Sequence, residues 1–200
     1  MSSLSKNLPY VCSLFLYYFV EKYTNKRLEN KKRARNISSL THSTGSVLVN
    51  LLHIIGPNNF VYKLSKIWST GYFLYDTSFI LRNEKLNILR LAYLYHHLTT
   101  INFIHNDPEL FNCDKFLFWG ELSNIASNIV YDYMHSKPLN KQKIKYWKGL
   151  QKWSYISIRI PVLGYYILKT MKNTSLDKSI LFISPVYIMG LIWSYKLLKK

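Results

Sequence analysis

Tyr93, His96, His97 and Thr100 stand at i, i+3, i+4 and i+7, so a helix presents them on one face. The surrounding stretch, 91–106, contains no Asp, Glu, Lys or Arg. An imidazole there can take or give a proton near neutral pH, or hydrogen-bond a polar group. Carboxylates able to orient it occur in two similar stretches: Asp76 with Ser69 and Tyr72, and Glu121 with Asn124, Asn128 and Asp132 at helical spacing. Arg159 supplies a cation, and His42 with Ser38 and Ser46 adds a further polar stripe. Two readings fit these residues. They hydrogen-bond helices to one another, or they bind or activate the polar end of a ligand, with His96, His97 and Asp76 as the candidate catalytic set. The candidate cavity-lining set is then His42, Tyr72, Thr100, Glu121, Asn124, Asn128 and Arg159. A metal is disfavoured, because neighbours at i and i+1 point about 100° apart on a helix and no second His or Cys at helical spacing completes a ligand set. No Ser-His-Asp order, glycine-rich phosphate loop or zinc spacing is present. Cys12 and Cys113 have no CxxC spacing and read as small hydrophobes.

The elements that position these groups are unusually poor in charge. Seven windows, at 7–20, 37–62, 67–81, 91–106, 116–131, 153–168 and 179–195, contain only Asp76, Glu121 and Arg159 as charged side chains. A water-soluble amphipathic helix would show charge on its wet face every turn or so. The windows therefore predict an all-α, polytopic membrane bundle of about seven transmembrane helices around a polar-lined cavity, with Tyr and Trp completing the shorter spans at the interfaces. Trp68, Trp119 and Trp153 are placed near window ends for that role. An ionisable group at membrane depth costs roughly 2.5–3.5 kcal/mol, so Asp76, Glu121 and Arg159 must face inward and find partners or a ligand. Arg159 is expected to be neutralised by Glu121 or Asp76. Pro161 is expected to kink the sixth span.

The formal net charge of +17, from 27 Lys and Arg against 10 Asp and Glu, points to an anionic partner. Its distribution fits a membrane better than nucleic acid. Basic clusters follow the first, third, fifth and seventh windows, as in 22–35 (Lys22, Lys26, Arg27, Lys31, Lys32, Arg33, Arg35), whereas the intervening connections hold few cations and the acidic run 105–114. That alternation predicts a lumenal N-terminus and a cytoplasmic C-terminus. No aromatic stacking platform accompanies the basic loop, so nucleic acid is not an expected partner. Two units are expected: an N-terminal membrane helix and basic loop over 1–30, and a transmembrane domain over 31–200.

In order along the chain, "RNISSLTHSTGSVLVNLLH" (35–53), "STGYFLYD" (69–76), "YHHLTT" (95–100), "ELSNIASNIVY" (121–131) and "RIPVLGYY" (159–166) resemble the TLC-domain proteins. That family includes ceramide synthases, translocation-associated membrane proteins and small lipid-regulatory relatives. The "GYFLYD" and "HH" pieces are closer to the small relatives. The resemblance implies a multi-pass protein of the endoplasmic reticulum engaged in lipid metabolism, with membrane lipids and membrane proteins as partners and no bound cofactor. In ceramide synthases the paired histidines belong to a motif that moves an acyl group from acyl-CoA to a long-chain base, so His96, His97 and Thr100 inherit that role by resemblance, with acyl-CoA as co-substrate. The chain departs from the synthase pattern at Leu91, where the synthases carry a further histidine, and at Asn124 and Asn128, where they carry a His-Asp and a further Asp. The leading expectation is therefore a protein that binds, senses or traffics acyl lipids. An acyl-CoA-dependent N-acyltransferase and a cargo or translocation adaptor are the alternatives, and whether the chain is an enzyme stays open.

Overall fold

The computed structural model describes residues 3–105, 112–173 and 184–199, and it is all-helical. Helix α1 spans Ser3–Leu28, α2 Lys31–Ile55, α3 Asn59–Asn83, α4 Ile88–His105 and α5 Cys113–His135. Helix α6, Lys141–Ser157, runs through a π-turn at Ile158–Val162 into α7, Leu163–Asn173, and α8 covers Ser184–Leu198. The breaks are chemically marked. Asn30, Asn58 and Asn140 cap α2, α3 and α6 by accepting a backbone N–H of the first turn on their side-chain oxygens. Gly56 and Pro57 end α2, so the window at 37–62 is two helices and not one. The acidic run at 105–114 lies mostly outside the described residues, and the last window begins outside them.

Six rods close a ring in which α2 contacts α3, α3 contacts α4, α4 contacts α8, α8 contacts α6, α6 contacts α5 and α5 returns to α2. Helix α1 packs against α2 and α3. There Tyr17 is fully buried among Tyr72, Phe73, Tyr75 and Phe79. A second apolar cluster, built from Phe103, Ile104, Phe116, Leu117 and Leu163, joins the C-terminal end of α4 to the N-terminal ends of α5 and α7. It fills one end of the ring.

Beside these apolar clusters, many polar side chains are buried and many large apolar ones are exposed. On α2 the buried positions are Ala34, Ser38, His42, Ser43, Ser46 and Asn50, while Leu52 and Ile55 are 61% and 75% exposed. Elsewhere Asp76, His97, Thr100, Glu121, Ser123 and Arg159 are buried, and Phe15, Phe19, Phe60, Leu91, Leu98, Leu168 and Ile188 are exposed. Among the described residues no helix is long and apolar enough to cross a membrane. The described parts of α6, α7 and α8, at 17, 11 and 15 residues, are short for a span of about 30 Å. In α1, α2 and α3, which at 1.5 Å per residue each exceed it, length is not the shortfall. Apolarity is, because the inward Ser, Asn and His of these helices count against the outward Leu and Phe in any average along the chain. Trp68 is no interfacial anchor. It lies well inside α3, where its ring packs on Gly45 and its Nε1 donates to the His42 carbonyl at 3.1 Å.

Candidate functional site

The antiparallel α2 and α5 share the largest interface, and a polar ladder runs along it. Arg33 forms a two-point ion pair with Asp132 (2.6 and 3.1 Å), and the Asn36 amide donates to the Asn128 carbonyl at 2.8 Å. Deeper, the Asn128 amide donates to Ser43 Oγ at 3.3 Å, and Ser43 donates to Glu121 Oε2 at 2.7 Å. The register follows from the sequence. Positions 36 and 43 lie two helical turns apart on α2, and 121, 124, 128 and 132 form one stripe on α5. On the α3 side, Arg35 clasps Asp76 through Nε and Nη2 at 2.5 and 2.9 Å and reaches Glu84 with Nη1 at 2.7 Å. Arg90 pairs with the same Glu84 from the start of α4. The Tyr72 hydroxyl donates to Ser39 at 2.8 Å, tying α3 to α2.

These helices enclose a cavity of ≈ 690 Å³, within the range of ligand pockets. Its wall runs from helix ends, at Lys32, Glu84, Arg90 and Lys196, inward to Phe73, His96, Glu121 and Arg159. Those four inner residues also border a smaller recess of ≈ 50 Å³, otherwise lined by Thr100, Phe103, Phe116, Leu117, Gly120, Asn124 and Leu163. A polar chamber thus abuts an apolar recess, with Arg159, His96, Glu121 and Asn124 at the junction.

Of the residues singled out in the sequence, His96, His97, Asp76, Tyr72, Glu121, Asn124, Asn128 and Arg159 all line the chamber, and Thr100 lines the recess. His42 lines neither. It is fully buried behind the wall, its ring stacked on Tyr72 at 4.0 Å between centroids, with Nδ1 3.7 Å from Glu121 Oε2. His97 Nε2 stands 3.5 Å from Asp76 Oδ2, and its Nδ1 lies 3.3 Å from Thr77 Oγ1. His96 faces the other way around α4, edge-on to Trp193, and its Nδ1 makes no hydrogen bond among the described residues. The two histidines therefore share the cavity without sharing a partner. Among the described residues no three His, Cys, Asp or Glu side chains are grouped to hold a metal.

Arg159 departs from expectation. Neither Glu121 nor Asp76 pairs with it: Asp76 is occupied by Arg35, and Glu121 by Ser43 and Asn124. Its partners are the oxygens of Ser123 (2.9 Å), Asn124 (2.8 Å) and the Gly120 carbonyl (3.2 Å), together with the face of Tyr155 at 4.7 Å. Asn124 stands between the two charges, accepting from Arg159 on Oδ1 and donating from Nδ2 to Glu121. Tyr155 donates to the same Oδ1 at 2.9 Å, which holds the amide in that orientation. The π-turn positions the guanidinium. Pro161 has no N–H for the carbonyl four residues back, and the helix widens so that the Leu163 N–H reaches Ile158 O. The kink expected at Pro161 takes this form.

The basic cluster at 22–35, which includes Lys32 and Arg35, is expected from the sequence to be a loop that orients the chain. In the structure Arg35 and Lys32 belong to α2, Arg90 to α4, and all three line the chamber. The available signal was their spacing: Lys32, Arg35, Asn36, Ser39 and Ser43 continue the stripe of α2 toward its N-terminus. No family model, no curated protein and no solved structure matches this chain.

Proposed function

We propose that this is an integral membrane protein that binds, senses or traffics acyl lipids, holding the polar end of the lipid in the chamber between α2 and α8. The observation that carries the reading is a polar cavity of ≈ 690 Å³ inside a helix ring in which α2, α3, α4 and α8 turn Leu, Ile and Phe outward, while α6 turns lysines outward. In water such an arrangement would expose its hydrophobic face and bury its hydrophilic one, against the hydrophobic effect that drives folding. In lipid the same arrangement is favourable, because the polar side chains satisfy one another inside and the Leu and Phe side chains meet acyl chains. The ordered motifs that resemble TLC-domain proteins support the same reading and suggest the endoplasmic reticulum.

A specific observation also favours the enzymatic alternative. His97 lines the cavity with Nε2 3.5 Å from the Asp76 carboxylate, a pairing that orients an imidazole, and Nδ1, 3.3 Å from Thr77 Oγ1, is the nitrogen that would have to act as the base. Full-length protein extracted in mild detergent and analysed by mass spectrometry for co-extracted lipid separates the readings. We expect bound acyl lipid on the wild type and its loss from a folded His97→Ala variant. Transfer from acyl-CoA to a long-chain base by the wild type alone would establish the acyltransferase. A folded wild type that carries no lipid and transfers none would sink both and leave the adaptor.

A further inference from the structure

Arg159 is 4% exposed, and its hydrogen-bond partners are neutral oxygens. Burying a charge is costly unless a countercharge accompanies it. Glu121, which lines the same recess, is bridged to Arg159 by the amide of Asn124 and is itself engaged by Ser43. Nη1 of Arg159 makes no hydrogen bond among the described residues. The charge balance of the chamber wall points the same way. Lys32, Arg35, Arg90, Arg159 and Lys196 face Asp76, Glu84 and Glu121, and Asp76 and Glu84 are both taken by Arg35 and Arg90. Lys32 and Lys196, at the outer end, have no carboxylate within ion-pair distance among the described residues. An anion entering there meets cations along the wall and reaches the guanidinium.

Beside the guanidinium the apolar recess begins. Its wall includes Gly120, where an added Cβ would meet no atom within 4 Å. This glycine is not required by a close backbone contact, and its missing side chain leaves the recess open. Phe103, Phe116, Leu117 and Leu163 complete an alkyl-sized slot within reach of Arg159.

Resting on the lipid-handling reading above, we infer that the site is selective for anionic single-chain amphiphiles. The carboxylate or phosphate monoester sits on Arg159, and the first methylenes of the chain enter the recess beside Gly120. A guanidinium suits this task because its planar donors match carboxylate and phosphate oxygens, and it stays charged when buried.

The test uses the full chain in a neutral detergent, with binding of palmitate and of lysophosphatidic acid compared with that of monopalmitoylglycerol, which has a similar chain and no charge. We expect wild type to bind both anions at least tenfold more tightly than the neutral lipid, and inorganic phosphate alone to compete poorly. Arg159→Gln should bring the three affinities to within about twofold, and Arg159→Lys should keep part of the preference. Gly120→Leu should fold at least as stably as wild type, because leucine is the better helix former and the space is open. It should nevertheless weaken palmitate at least tenfold. Equal binding of charged and neutral lipids by the wild type would overturn the inference while leaving lipid binding intact, and that comparison needs no variant to fold. Phosphate competing as well as lysophosphatidic acid would overturn the role of the recess. Binding of no amphiphile at all would instead remove the lipid-handling reading on which the inference rests.

Discussion

At the scale of single residues, the tightest constraint is the carboxylate of Asp76. It receives two hydrogen bonds from Arg35 and stands 3.5 Å from His97, with its side chain 3% exposed. Asp76→Ala would leave the Arg35 guanidinium uncompensated in a largely enclosed site. We expect a loss of about 3 kcal/mol, the lower end for breaking a buried pair because Arg35 keeps Glu84. Thermal unfolding in detergent measures it, and the apolar double change Arg35→Met, Asp76→Leu should recover most of the loss. A single variant as stable as wild type would show that the pair is not coupled to folding. Sequence reading found Asp76, Glu121, Arg159, His96 and His97 because each interrupts an otherwise uncharged stretch. It could not find their partners. Arg35 lies 41 residues from Asp76, at a window edge where a cation attracts no notice, and only the packing of α2 on α3 brings the two together. The same limit misplaced His42, whose type suggested a cavity wall and whose position on α2 puts it behind Tyr72.

At the scale of helices, close approach at small residues works alongside the buried aromatic clusters as a means of packing. A Cβ on Gly71 of α3 would come within 2.2 Å of Ser13 Oγ and 2.8 Å of the Leu14 backbone nitrogen of α1. On Gly45 of α2 it would meet the Trp68 ring at 2.4 Å. Small residues at crossings are how helices associate where no hydrophobic driving force separates them from the solvent. Gly71→Ala should therefore push α1 away and cost about 1–3 kcal/mol, read as a lowered melting temperature. Adding Ser13→Gly should restore only part of it, because the backbone nitrogen of Leu14 stays in the way. Full restoration would place the strain on the Ser13 side chain alone. Helix limits are marked in the sequence by Gly56, Pro57 and Asn58 and by Pro138, although the charge-free window at 37–62 runs across the first of them. The π-turn is not so marked. Pro161 announces that the ladder is broken, but whether the backbone bends or inserts a residue depends on what Arg159 and Leu163 pack against.

At the scale of the whole molecule, the helical class followed from the charge-free windows, while the ring closure through α4 and α8 did not, since nothing local to either segment names the other. The basic clusters give the proposed membrane orientation a direct test. A reporter fused after Lys200 should be cytoplasmic, and one inserted in 106–111 lumenal, as read by protease protection in sealed microsomes; the opposite pattern would refute the charge argument. The polar ladder between α2 and α5 carries a further consequence, which concerns time. Ser43 and Glu121 are separated by 78 residues of chain. At roughly 5–20 residues per second, the ribosome finishes α5 on the order of ten seconds after α2. Throughout that interval the inward stripe of α2 has only α1, α3 and α4 to turn to, and Ser43 and Asn36 have no ladder to join. If the chain resides in a bilayer as proposed, a nascent chain stalled before residue 121 would be a half-built interior facing lipid, the state in which a chaperone of the membrane would have to hold it and from which degradation would draw any copy whose fifth helix failed to arrive.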